Sequence, residues 1–196
     1  MKRKNKVFDL AIISMFAALM AIGANITAWL PFLQIGGIPI TLQTFVCLLA
    51  GCVLGKRRGA LAMIVYACVG LIGVPVFAGF KGGIGALFSS TFGFVLSFIV
   101  CAYLAGLIVE KSTQPTWITF LIASLVGVVM NYIIGTNYMY FALQYFYAAE
   151  DAISYATAWK IMLVYFPVDL LTALLVVFFA PKLYKALSYS YIPNNA

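Results

Sequence analysis

Apolar residues run almost without a break from Leu10 to Ala180, and the few breakers cut that run into lengths suited to a bilayer. A helix crossing the hydrocarbon core needs about 20 apolar residues. Candidate spans lie at 8–30, closed by Pro31; 40–54, ending beside Lys56, Arg57 and Arg58; 60–74, ended by Pro75; 85–109, stopped at Glu110-Lys111; 116–140; and 158–180, before Pro181. The pattern predicts an all-α membrane protein of six transmembrane helices forming a single domain over residues 1–196. The second and third spans are short, which suits little tilt or burial against neighbours. The opening MKRKNK and the apolar run behind it imitate a secretory leader. That run is longer than the roughly 7–15 apolar residues of a leader and several spans follow it, so it reads as a retained first helix.

Composition agrees with this reading. Hydrophobic residues make up 65 % of the 196 and charged residues 9 %, against roughly 45–50 % and 25 % in a soluble domain. Five acids and twelve bases cannot clothe a globule of this size, so a soluble enzyme, a secreted disulfide domain and a disordered tail are excluded. The net charge of +7 would suggest nucleic acid in a soluble chain, but the bases flank apolar spans and read as topogenic charge. With the N-terminus inside and six spans, Lys2, Arg3, Lys4, Lys6, Lys56, Arg57, Arg58, Lys111, Lys182 and Lys185 all fall on inner segments, and only Lys81 and Lys160 on outer ones. That bias places both termini in the cytoplasm.

The outer connections are then 31–39, 75–83 and the long 137–158. The first two, PFLQIGGIP and PVFAGFKGG, are rich in Gly and Pro yet hardly polar. Such loops either fold back over a ligand cavity or lie among the headgroups. The third is crowded with aromatics, as at a membrane interface, and is long enough for a short interfacial helix or a lid.

There is no histidine, which removes the commonest general base and metal ligand. Cys47, Cys52, Cys68 and Cys101 lie in apolar stretches at spacings that match no metal motif, and read as small buried hydrophobes. No nucleophile–base pair and no GxxxxGK[ST] phosphate loop occurs, so neither an enzyme nor a cofactor or metal site is expected, and active transport would draw on a gradient or on partner ATPases.

Asp169 stands out, about eleven residues into the last apolar span with no Lys or Arg within a turn. A carboxylate at such depth costs about 2.5–3.5 kcal/mol on insertion scales and marks a functional site by default. Pro167 two residues earlier allows another reading, a capping acid at the start of a shorter helix. In a cavity the carboxylate would accept ligand N–H groups, with Thr172 on the same face. Gln43 and Thr44, with Thr41, offer amide and hydroxyl groups at the start of the second span, where the alternative for Thr41 is a simple N-cap. Lys81, among Gly79, Gly82 and Gly83, makes a place for a ligand carboxylate or is merely solvated. Ala17 and Ala21, alongside Ser14 and Ala18, form a small-residue face that packs internally or docks another membrane protein. Asn25 and Asn131 are polar groups in apolar spans, read as interhelical hydrogen bonders.

The runs GIPITLQT (37–44) and GVPVFAGFKGG (73–83), followed by YIIG (132–135) and FPVD (166–169) in the same order, resemble the BioY family, the biotin-binding substrate (S) components of energy-coupling-factor (ECF) transporters. The likeness covers essentially the whole chain. It implies a biotin pocket on the outer side of a bacterial plasma membrane, closed by the first loop. Gln43, Thr44, Phe77, Gly79, Lys81, Gly82, Gly83, Thr91, Phe94, Tyr132, Asp169 and Thr172 would bind substrate. Ala17 and Ala21 would dock a transmembrane coupling protein that works with two ATP-binding cassette ATPases. The family pattern Pro-Gly-Asp-x-x-Lys reads here as Pro167, Val168, Asp169 and Thr172, so the acid is kept and the lysine is not. Where the family has Gly-Pro-Thr-Gly-Gly-Tyr, this chain has Ser89, Ser90, Thr91, Phe92, Gly93 and Phe94. A different biotin-like vitamin on the same scaffold, or a membrane assembly protein, are the alternatives.

Overall fold

The computed structural model describes residues 6–29, 34–35 and 38–191. The basic residues Lys2, Arg3 and Lys4 and most of the first outer loop lie outside the described residues. The chain folds as helices α1 (Lys6–Ala24) and α2 (Ile26–Trp29), an antiparallel pair of two-residue strands β1 (Gln34–Ile35) and β2 (Ile38–Pro39), then α3 (Gln43–Leu54), α4 (Lys56–Leu71), α5 (Phe92–Lys111), α6 (Trp117–Tyr145), α7 (Tyr155–Leu163) and α8 (Phe166–Tyr191). Short 3-10 turns occupy Ile84–Phe88 and Ala149–Asp151.

Four of these helices, α1, α5, α6 and α8, are long and apolar enough to cross a membrane. The two short spans become α3, of 12 residues, and α4, of 16. Only Gly55 separates them, at φ +82, and a side chain there would run into the Glu110 carboxylate. That carboxylate accepts the Lys56 N–H at 2.9 Å and pairs with Lys56 Nζ at 3.2 Å. An acid from α5 thus answers the cations at the start of α4, where the helix dipole disfavours them.

Several expected boundaries shift, each for a local reason. The span 8–30 breaks at Asn25, whose side chain competes for backbone groups. The span 60–74 starts four residues early, since the basic triplet is helical. The span 85–109 is a 3-10 turn followed by α5, because a bend through Ser89–Thr91 intervenes. The span 116–140 runs on to Tyr145, opened by mutual bonding of Thr116 and Thr119. The span 158–180 is two helices, and Pro181 lies inside α8 rather than ending it. Cys47, Cys52 and Cys101 are buried as expected, but Cys68 is exposed; all four are free.

Helix α5 is the hub, packed against α3, α4 and α6, while α8 lies on α3 and α6, and α1 on α4 and α3. Alanines with no exposed surface, Ala50, Ala102 and Ala105 among them, let these axes approach closely. The start of α1 meets the start of α4 through Asp9 and Arg58, and Tyr184 of α8 packs on Phe120 at the start of α6. The beginning of α1 and the later turns of α8 therefore share one end of the bundle, with the α3–α4 connection and the end of α5. At the opposite end the chain is looser, and a cavity opens there.

Candidate ligand-binding site

The cavity has a volume of about 900 Å³, within the range of small-ligand sites. Its walls come from the start of α3, the 77–82 loop, the segment from Gly85 into α5, α6 with Phe146 and Tyr147 behind it, and the α7–α8 junction.

The α7–α8 junction places Asp169. Helix α7 is capped by Ser154, whose hydroxyl accepts the Thr157 N–H at 3.1 Å, and it ends at Leu163. Chain direction resets, Pro167 occupies the first turn of α8, where its missing N–H costs nothing, and Asp169 falls in that same turn. The acid is therefore not eleven residues deep in one span: it lies at a helix start, as the capping alternative required, and also lines the cavity. Its Oδ2 accepts the Tyr132 hydroxyl at 2.7 Å, and Thr44 of α3 stands beside the same carboxylate. Tyr132 is buried, with its ring edge-on to Phe166, and orients the acid from behind the wall. Thr172 is buried too, and its hydroxyl donates 2.8 Å to the Asp169 carbonyl within α8.

Lys81 comes from a hairpin. Phe77 and Lys81 exchange backbone hydrogen bonds of 2.9 and 3.2 Å, around a turn that uses positive φ at Gly79 and Phe80. Phe77 is buried, its ring fills the space a side chain at Gly70 would need, and it packs edge-on to Tyr66 and Phe92. Lys81 and Asp169 both line the cavity, and among the described residues neither takes part in an ion pair. Gln43 lines it as well, donating to the Tyr66 hydroxyl at 3.0 Å. Thr41 lies in the wall, and the residue before α3 is Leu42, with no side-chain cap. Phe94 reaches the cavity by lying against Gly135, where any side chain on α6 would collide with its ring.

Of the twelve expected substrate residues, Gln43, Thr44, Phe77, Lys81, Gly82, Thr91, Phe94 and Asp169 line one cavity, while Gly79, Gly83, Tyr132 and Thr172 stand outside its lining. Sequence reasoning missed the apolar part of the wall, including Phe98, Met139, Met162 and Tyr165, which on an apolar helix look like ordinary core. Asn131 gave a signal, as a polar residue in a span, and it too lines the cavity, with its Oδ1 2.5 Å from the Ser97 hydroxyl. The third outer stretch splits: 137–145 extends α6, Phe146 and Tyr147 enter the cavity wall, and α7 is the short helix expected there. Ala17 is buried in the bundle and Ala21 half-buried, whereas Ser14 and Ala18 are exposed.

The chain resembles known proteins over nearly its full length. BioYB of Bacillus subtilis (strain 168) is 48 % identical over 186 residues, 95 % of this chain and 92 % of that one. The biotin transporter BioY2 of Lactococcus lactis subsp. cremoris is 31 % identical over 189 residues, 96 % of each. A crystal structure of the S-component for biotin from an ECF-type ABC transporter superposes with a TM-score of 0.80 at 26 % identity, covering 94 % of this chain and 95 % of that one. Apolar helices and these relatives together make this a multi-pass plasma-membrane protein. A model of the BioY family matches residues 1–189, and residues of three of the four motifs that carry the likeness line the cavity: the chain belongs to the BioY family.

Proposed function

We propose that the protein is the biotin-binding S component of an ECF-type uptake transporter, a transport protein rather than an enzyme. The observation that carries this is the pair of opposite charges lining one cavity, Asp169 and Lys81, each outside any ion pair among the described residues. Biotin is complementary to that pair: its ureido N–H groups suit the Tyr132-oriented carboxylate, its carboxylate suits the ammonium, and the aromatic residues of the lining suit its apolar middle. Phe77, Thr91, Phe94, Gln43 and Thr44 would complete the contacts. Gly79, Gly82 and Gly83 would shape the hairpin, and Thr172 would support Asp169.

In this reading the six longer helices span the bilayer, with the basic end of the bundle in the cytoplasm and the cavity facing out under the first loop. Turnover would need a transmembrane coupling protein and two ATP-binding cassette ATPases. The coupling protein would meet α1 through the small-residue face that includes Ala17 and Ala21; because these two are buried and half-buried, contact would begin at Ser14 and Ala18. Equilibrium binding of labelled biotin to the purified protein tests the reading. Retention at submicromolar ligand, competed by unlabelled biotin and lost in Asp169→Asn, is the expected result, and no retention at micromolar biotin would overturn it.

A further inference from the structure

Asn25 sits where α1 ends and is 3 % exposed. Its Nδ2 donates to the Ala21 carbonyl one turn back at 3.0 Å and to the Val76 carbonyl at 3.2 Å, while its Oδ1 accepts the Phe80 N–H at 2.7 Å. An asparagine serving only its own helix end would stop at Ala21. This one crosses to two points of the segment that runs into the Phe77–Lys81 hairpin, whose other side is cavity wall.

That hairpin has reason to be held. Phe80 is the single non-glycine residue at positive φ among the described residues, at +54°, a conformation that bulky L side chains avoid. The residue is 52 % exposed and lines the cavity, and its N–H is held by the Asn25 side chain. The Val76 carbonyl is shared: the Tyr66 hydroxyl also donates to it, at 3.2 Å, and in turn accepts from Gln43. Helices α1, α3 and α4 thus converge by hydrogen bonds on the stem of the hairpin.

We propose that Asn25 is a positioning residue for the ligand site: from the end of α1 it fixes the Phe77–Lys81 hairpin in the conformation that presents Phe80 and Lys81 to the cavity, and so governs how long a ligand stays bound without touching it. Because linkage is reciprocal, a ligand that steadies the hairpin also steadies the end of α1. The ligand arm of the test rests on the biotin reading; the ligand-free arm does not.

The full chain in detergent, as wild type and as Asn25→Ala, is compared in two ways. In the absence of ligand, backbone hydrogen exchange at residues 77–83 should quicken at least about tenfold in the variant, with little change in the middle of α5 or α6. With biotin, dissociation should quicken about tenfold, the scale of one lost buried hydrogen-bond partner. A Lys81→Ala background separates positioning from general softening: if Asn25 acts through the hairpin, its alanine variant adds little once Lys81 is gone, whereas independent effects add. Asn25→Ser, which can still bond within its own helix but lacks the reach to the hairpin, gives the same comparison if the alanine variant does not fold. Unchanged exchange at 77–83 in the ligand-free variant overturns the proposal, as does full additivity with Lys81→Ala. Failure of the wild type to retain biotin overturns the ligand assignment, and the ligand-free exchange still decides the role of Asn25.

Discussion

The two ends of the bundle handle charge in opposite ways. At the basic end, Lys56 pairs with Glu110 at 3.2 Å and Arg58 grips Asp9 through two contacts of 3.0 and 3.1 Å. Connections are tight there, with one glycine between α3 and α4. At the cavity end the connections are long, aromatic rings replace ion pairs, and Lys81 and Asp169 line one cavity without a charged partner among the described residues. Asp169 is met there by hydroxyl groups, Tyr132 at 2.7 Å among them, and not by a cation. On the proposed function the cavity end serves a ligand and the basic end structure, so substitutions at the two ends should separate affinity from stability.

The largest effect is expected at Asp169. Asp169→Asn keeps the shape and removes the charge, and biotin affinity should fall at least about a hundredfold, as when one partner of a buried charged hydrogen bond is truncated. Titration calorimetry on purified protein measures it; an affinity within threefold of wild type would end the division of labour just drawn. Lys81→Met should weaken biotin about tenfold, yet leave the amide of biotin, which lacks the carboxylate, nearly unaffected. Equal losses for acid and amide would mean that Lys81 shapes the hairpin and does not meet the ligand's charge. Tyr132→Phe removes only the hydroxyl that orients Asp169 and should cost about fivefold to tenfold in affinity, a typical hydrogen-bond increment.

The contrast also explains what could be read in the chain. Six apolar stretches are long-range, redundant signals, and each holds a helix, four of them long and apolar enough to cross a membrane; α5 starts at Phe92 where 85 was expected, and α8 covers Phe166–Tyr191 where 158–180 was expected. The breaks were harder. Asn25 and the α7–α8 junction interrupt apolar runs, and Pro181 stays inside α8 although proline usually ends a helix; a local break of this kind leaves the apolar pattern around it unchanged. In the site, polar residues that were conspicuous against an apolar background, Asp169, Lys81, Gln43 and Thr44, all line the cavity. Phe98, Met139 and Met162 gave no such contrast, because an aromatic or methionine that lines a cavity and one that fills a core have the same local sequence. Tyr132 was expected only through the resemblance, as a substrate residue, and Thr172 also as a neighbour on the face of Asp169; in the structure both bond to Asp169, one through its carboxylate and the other through its backbone carbonyl.

The smallest expected effect is the control that the comparison requires. Asp9 and Arg58 tie the start of α1 to α4 with side chains that remain 22 % and 29 % exposed, so solvent screens part of their attraction and the pair is worth about 0.5–1 kcal/mol. Asp9→Asn should therefore lower the apparent melting temperature in detergent by a few degrees at most, and biotin affinity should stay within twofold of wild type, because the cavity lies at the far ends of both helices. High salt should shrink the difference in melting temperature, since screening acts on the exposed part of the pair. A loss of affinity as large as that of Tyr132→Phe would show that the basic end reaches the site through α1. The two ends would then be one device, with Asn25 at the opposite end of that helix as the natural place to look for the connection.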